Sequence, residues 1–286
     1  MASFFAGVGG IDLGFEQTGH FETVYANEFD KYAVKTFEEN FDIEVDHRDI
    51  REVSGDDVPE VDVFLAGWPC QPFSQAGLRQ GFKDQKGRGD TYFELERLYQ
   101  QKQPKIIFLE NVKNLVGHDG GRTFRVISES LENADYHIKF QVMNAMDYGN
   151  VPQNRERIYV VGFKDYEQYK AFEFPMPKRL TTTLQDVIDF ENEQEERYYY
   201  TPEKNQFYEE LDQGMTDSNS IYQWRRVYVR ENKSGVVPTL TANTPAPAAP
   251  HRRPPHAPGC AADRGASGHR PAPGRAPPGE RENGAR

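Results

Sequence analysis

Cysteine is nearly absent: two residues, Cys70 and Cys260, in a chain of 286. That excludes a disulfide-stapled scaffold and a cysteine-built zinc site, and it fits a reducing cytoplasm. No apolar run reaches the length of about 18 residues that a membrane span needs, so none is expected. The opening residues, MASFFAGVGG, have neither a basic n-region nor a cleavage pattern, so no secretory leader is expected. Basic excess is missing too. The net charge is −11, which taken alone speaks against a nucleic-acid binder, although a local basic cleft can sit on an acidic protein.

The last 42 residues lack the most. Pro245–Arg286 contains no Val, Ile, Leu, Met, Phe, Trp or Tyr, yet holds 10 of the 19 prolines. Its local charge is +4, which leaves −15 on the rest. Such a segment buries too little apolar surface to offset chain entropy, so disorder is predicted over 245–286.

What is present first is alternation. Short apolar runs at Ser3–Phe5, Thr23–Ala26, Val61–Ala66, Lys105–Leu109, Ile138–Met143 and Ile158–Phe163 read as strands. Helix-like stretches fall at Asp12–Thr18, Phe29–Asn40, Tyr92–Gln101 and Arg122–Asn133. Near-continuous apolar strands separated by helices predict an α/β fold with a doubly wound, mostly parallel sheet over residues 1–164. The first strand is short, so further native residues are expected upstream. From about Asp165 to Thr244 Glu, Gln, Tyr and Thr dominate and periodicity fades. A smaller domain is expected over 165–244.

Three clusters carry chemistry. Phe5-Ala-Gly-Val-Gly-Gly10 follows a strand and precedes a helix, where glycines allow a tight turn and helix N–H groups face an anion. Glu28 ends the next strand, and Asp49 lies near the end of the following extended stretch. An acid about 20 residues past the glycines is where nucleotide folds grip ribose. The spacing is not G-x-G-x-x-G, so a nicotinamide dinucleotide is not favoured. The plainer reading is a structural turn with two surface acids.

Cys70 lies in Gly67-Trp-Pro-Cys-Gln-Pro-Phe-Ser74, just past an apolar strand, where open α/β sheets place their sites. A free cysteine is more often a small buried hydrophobe; as a nucleophile it would need activation. Glu110 ends the next apolar strand and would share that sheet edge as an acid, or else cap a helix. Arg155 and Arg157, at i and i+2 of an extended segment, point the same way. They can grip a phosphate or carbonyl, or simply decorate a charged edge.

Together these segments resemble the bacterial DNA (cytosine-5) methyltransferase family. The residues that carry the resemblance are Phe5–Glu16, Asn27-Glu28, His47–Ile50, Pro69–Ser74, Arg88–Phe93, Glu110–Val112, Asp147–Gly149 and Gln153-x-Arg155-x-Arg157, in the family's order, within residues 3–244. The resemblance implies an S-adenosylmethionine-dependent methyltransferase fold with a target-recognition region from about Pro175. It implies that Phe5, Gly7 and Gly9 shape the cofactor pocket. Glu28 would hold the ribose and Asp49 with Ile50 the adenine. Cys70 would attack C6 of a flipped-out cytosine, Glu110 would protonate the N3 side, and Arg155 and Arg157 would assist at the base. Gln71, Ser74, Arg88, Gln153, Thr239 and Leu240 would contact DNA, with Gln71–Asp90 as a loop closing over it. Double-stranded DNA is the implied substrate, a restriction endonuclease of the same specificity an implied companion, and a cytoplasmic monomer without metal the implied state.

The chain departs from the family after Thr244. The expected Arg-Glu motif and C-terminal helix do not follow. A coding run ACC GGC ACC GGC GGC reads Thr-Gly-Thr-Gly-Gly; one base later it reads Pro-Ala-Pro-Ala-Ala, which is Pro245–Ala249. We therefore read the tail as a frameshift product and the recognition domain as incomplete. An inactive remnant that binds cofactor or DNA without turnover is the alternative, and apolar surface would then stay exposed where the helix belonged. A cysteine hydrolase pairing Cys70 with His47 or His118 is a more distant one, since no hydrolase elbow surrounds the cysteine.

Overall fold

The computed structural model describes residues 1–69, 91–190, 192, 194–195, 198–217, 220–224, 228–232 and 234–239. Six strands form the main sheet: β1 (Ala2–Phe4), β2 (Tyr25–Asn27), β3 (Val63–Ala66), β4 (Ile106–Val112), β5 (His137–Asn144) and β7 (Glu156–Phe163), with the two-residue β6 (Gln153–Asn154) just before the last. Their spatial order is β2-β1-β3-β4-β7-β5. Pairings from β2 to β4 are parallel, and β7 runs antiparallel to both of its neighbours. From β1 the chain goes out to β2 and returns to β3 on the other side. The crevice beyond the carboxyl ends of β1 and β3 is therefore the switch point where such sheets bind ligands.

Helices cover both faces, so the doubly wound architecture is as expected. On one face α1 (Gly10–Glu16) sets Ile11 and Phe15 against Met1, Val63, Leu65 and Phe108. Beside it α2 (Lys31–Glu38) packs Val34 and Phe37 with Ala26, Phe41 and Val45. Asp30 caps α2, its carboxylate accepting from the N–H groups of Tyr32 and Ala33. On the opposite face α3 (Thr91–Lys102) and α5 (Arg122–Asn133) bury Tyr92, Leu95, Leu98, Ile127 and Leu131 against Phe4, Phe64, Ile107 and Leu109. Burial of each such side chain stabilises by about 1.5–3 kcal/mol. Where α3 meets α5, the hydroxyls of Tyr92 and Tyr99 gather on Ser130. They meet the rule that buried polar groups are hydrogen-bonded.

Most strand and helix positions follow the expected runs, and α5 has the expected bounds. β4 is the main correction. It does not stop before Glu110 but continues through Val112, because β7 pairs with it over seven registers from Ile106↔Phe163 to Val112↔Arg157. Glu110 is thus a strand residue and not a helix cap. Asp49 is not in an extended run either. After an isolated bridge between Asn27 and Asp46, Asp49 caps the one-turn 3-10 helix Ile50–Glu52.

Between β4 and β7 the chain also forms α4 (Asn114–Gly117) and α6 (Ala145–Tyr148), and past the sheet come α7 (Tyr166–Ala171) and α8 (Tyr208–Gly214). A hairpin of β8 (Tyr222–Trp224) and β9 (Val229–Glu231) follows α8. Tyr200, Leu211, Met215, Tyr222 and Trp224 form a small cluster there, with Phe207 stacked on Trp224 at 4.5 Å. Farther on, β10 (Val237–Pro238) pairs parallel with β6 in a separate two-stranded sheet. The segments 71–90 and 245–286, for which a closing loop and disorder were expected, lie outside the described residues.

Candidate active site

The glycine segment leaves β1 with backbone that few side chains tolerate: φ is +53° at Phe5, +58° at Gly7 and +84° at Gly9. The two glycines serve different needs. A Cβ on Gly7 would meet nothing within 4 Å, so open space lies beside it. A Cβ on Gly9 would strike the Phe41 ring at 2.1 Å, so that position is fixed by packing against α2's cluster. The segment is tied to β2 by the N–H of Ala6 on the Asn27 carbonyl and by the N–H of Gly7 on Glu28 Oε2 at 2.8 Å. Glu28 Oε1 accepts from the Asp30 N–H at 2.7 Å. The carboxylate is therefore held from both sides at the mouth of the open space.

Asp49 is half-buried, and its carboxylate accepts from the Arg51 N–H and pairs with the Arg51 guanidinium at 2.8 Å. The Ile50 side chain is in the main core, so what it can offer a ligand is backbone. Phe29, which the sequence reading passed over, follows Glu28 directly with its side chain 70% exposed. An aromatic residue at the end of a strand, next to an acid, was the signal for it. An open cradle beside Gly7, two carboxylates and an uncovered ring fit a nucleoside with a charged tail.

The second half of the site lies at the ends of β3 and β4. Glu110 pairs with Arg157 Nε at 2.7 Å, with the two side chains only 18% and 13% exposed. The strand register explains the meeting: Glu110 faces Tyr159 across the β4–β7 ladder, and Arg157 is one same-face step farther along. Burial pushes the Glu110 carboxyl up from the ordinary glutamate range, while the charges of Arg157 and Arg155 pull it back without cancelling the shift. Its Oε2 lies 3.5 Å from where a Cβ on Gly67 would sit. Asn111, which the sequence placed in the Glu110–Val112 segment without a role, is buried and donates from Nδ2 to the Trp68 carbonyl at 3.2 Å. The carboxyl therefore packs against the strand end that leads into Cys70.

Cys70 itself lies outside the described residues, as do Gln71, Ser74, Arg88 and Leu240. Arg155 is half-buried; its N–H donates to Asn144 Oδ1 at 2.9 Å, and its charge reaches Glu110. Gln153 sits in β6, and Thr239 donates from its hydroxyl to the Asn154 carbonyl at 2.8 Å. These two expected DNA contacts are thus neighbours, joined by the β6–β10 pairing. The histidines of the hydrolase alternative are otherwise engaged: His47 with the Phe29 carbonyl, and His118, buried, with the Thr123 hydroxyl. Among the described residues no group of three His, Cys, Asp or Glu could hold a metal ion, and no helix is long and apolar enough to cross a membrane.

A family model for C-5 cytosine-specific DNA methylase matches residues 1–259. The Type II methyltransferase M.Bsp6I of Bacillus sp. (strain RFL6) is 60% identical over 243 residues, which cover 85% of this chain and 77% of that protein. The Type II methyltransferase M1.ScrFI of Lactococcus lactis subsp. cremoris is 44% identical over 66% of this chain, and there the match spans only about half of the relative, 48%. Among solved structures, the Entamoeba histolytica methyltransferase EhMeth superposes with a TM-score of 0.60 at 21% identity, over 78% of this chain and 67% of that one.

Proposed function

This chain belongs to the C-5 cytosine-specific DNA methylase family, and from that premise we propose that it methylates cytosine at C5 in a specific duplex DNA sequence. The observation that carries the reading is the convergence at the switch point. A buried carboxyl paired to arginine packs on the strand end before Cys70, and the glycine segment held by Glu28 opens at the end of the adjacent strand β1.

The cofactor of this reading is S-adenosylmethionine, which supplies a methyl group on a sulfonium electrophile. Glu28 would hold its ribose, Asp49 and the Ile50 backbone its adenine, and the Gly7 cradle its tail. On the DNA side the Cys70 thiolate adds to C6 of the cytosine, forming an S–C6 bond and making C5 nucleophilic. Glu110 gives a proton toward N3 and disperses the charge, a contribution of about 10²–10⁴ in rate. Once C5 carries the methyl group, its proton leaves to a base, the S–C6 bond breaks to restore the thiolate, and N3 returns its proton to Glu110. The raised pKa of Glu110 suits an acid that must hold its proton in a mixed-charge site. Arg157 orients that carboxyl, and Arg155 adds positive charge beside it. The cytosine must leave the stack to reach these groups, at a cost of a few kcal/mol.

In this reading residues 1–164 are the catalytic and cofactor-binding domain, and 165–244 contribute to target recognition. The same reading takes in a companion endonuclease of the same specificity and a monomer working in the cytoplasm. The test is transfer of tritiated methyl from S-adenosylmethionine to DNA, followed by bisulfite sequencing to find the site. Cys70→Ala is expected to lose at least 10³-fold in rate, roughly the scale of losing an essential nucleophile. Wild-type turnover by that variant would refute the nucleophile. Cofactor binding without any transfer by the wild-type chain would favour the inactive-remnant alternative.

A further inference from the structure

Glu28 and Asp49 stand on separate segments, and the sheet alone does not set their spacing. The segment after α2 touches β2 through one isolated parallel bridge, Asn27 to Asp46. Two backbone bonds make it: Asp46 N–H to the Ala26 carbonyl at 2.8 Å, and Glu28 N–H to the Asp46 carbonyl at 3.3 Å. Beyond Asp46 the Asn27 side chain takes over. It is 2% exposed, and its Nδ2 donates to the carbonyls of both Asp46 and Arg48, each at 2.9 Å. One amide nitrogen thus spends both hydrogens on the chain either side of His47. Asp49 follows the second carbonyl by one residue, and Glu28 follows Asn27 by one residue. Glu28 is fixed separately by the N–H groups of Gly7 and Asp30. Two other side-chain ties join these segments among the described bonds: the Tyr25 hydroxyl donates to Asp46 Oδ2 at 2.7 Å, on the far side of Asn27 from Asp49, and His47 Nε2 meets the Phe29 carbonyl on the exposed side.

We propose that Asn27 is a positioning residue for the methyl donor: its two-carbonyl clamp sets the separation of the Glu28 and Asp49 carboxylates and so matches the pocket to the length of an adenosine. The proposal rests on the cofactor reading above. The chemistry at position 27 is demanding. Aspartate presents only acceptors to two carbonyl oxygens, serine keeps a single donor, and glutamine carries the amide one carbon too far.

The experiment is calorimetric titration of the full chain with S-adenosylhomocysteine, beside initial rates against S-adenosylmethionine. Losing two buried hydrogen bonds at the clamp is expected to raise Kd by about 10–100-fold in Asn27→Ala and Asn27→Asp. Asn27→Ser falls in between. KM for the cofactor rises in step, while kcat stays within about threefold, a split that general loss of fold stability does not produce. Wild-type Kd in both the Ala and Ser variants overturns the proposal. If the Ala variant does not fold, the Ser variant decides on the same criterion. A wild-type chain that binds no S-adenosylhomocysteine sinks the cofactor reading, and this one with it; wild-type binding with unaffected variants sinks this one alone.

Discussion

The two ends of the described chain are built by different means. Up to Phe163 the Glu110–Arg157 pair is placed by register: β1 and β3 lie side by side, β4 brings Glu110 to its height, and β7 brings Arg157 beside it. After Asp165 the ladders among the described residues are short: the three-residue β8–β9 pairing and the two-residue β10–β6 pairing. A cluster of five buried residues, mostly aromatic, holds one hairpin and one short helix. A few bonds tie this region back: Lys178 N–H to the Asp147 carbonyl, Asn150 Oδ1 to the Thr181 and Thr182 N–H groups, and β10 to β6. Glu110 and Arg157, the residues proposed to act at the base, thus sit on long-range pairing. The residues proposed for target recognition sit on a patch with a small core.

This contrast can be broken by experiment. The largest effect belongs to the laddered half. Glu110→Gln is expected to lower kcat by about 10²–10⁴ and leave S-adenosylhomocysteine affinity within threefold, measured by tritium transfer and calorimetry. Its pH dependence follows from burial. The raised pKa keeps the carboxyl protonated to higher pH than an ordinary glutamate, so the acid-dependent step slows as pH rises through that value. The Gln variant should lose this limb of the profile; an unchanged limb would move the acid role elsewhere.

A middle-sized effect tests independence. Trp224→Ala removes the centre of the second cluster, a change that costs about 3–5 kcal/mol in a well-packed core. DNA binding, read by filter retention, should weaken severely, while S-adenosylhomocysteine binding stays near wild type. Equal loss of both would mean that the two regions form one cooperative unit.

The smallest effect sharpens the picture of the first half. Asp12 is fully buried in α1 and accepts from the hydroxyls of Ser3 and Thr23. Burial raises its pKa above the unfolded value. The folded state then binds the proton more tightly, so stability is greatest below the unfolded pKa and declines as pH rises toward the folded one. Asp12→Asn should therefore melt higher at neutral pH, by about 2–4 °C if the gain is on the order of 1 kcal/mol. The advantage should shrink on acidification toward pH 4. A variant that melts lower at neutral pH would show that the hydrogen bonds outweigh the buried charge.

Much of the laddered half was legible in the sequence because its signals are local. A four-residue apolar run is a buried strand wherever it falls, and Phe5–Gly10 declares a turn by its glycines. The extension of β4 through Val112 was not legible, because it depends on a partner strand far along the chain. The same holds for Asn27 and Asn111: an asparagine looks like a turn residue until the carbonyls it serves come into view. Asp49 was placed by the regularity of neighbouring strands, whereas one bridge and a side-chain clamp replace the strand there. Over 165–239 the pattern was unreadable because few residues alternate and the small aromatic core is assembled from segments without regular periodicity.

The insertion of β7 between β4 and β5 has a consequence for biosynthesis. Arg157 leaves the ribosome only after β5 has been made, yet it must enter the slot beside a strand completed long before. Until then the Glu110 carboxyl has no guanidinium beside it, so a nascent chain stalled short of that point carries a half-made centre. Closure of a non-local strand pair is a slow event, and here the final assembly of the sheet and the arming of its acid are a single step.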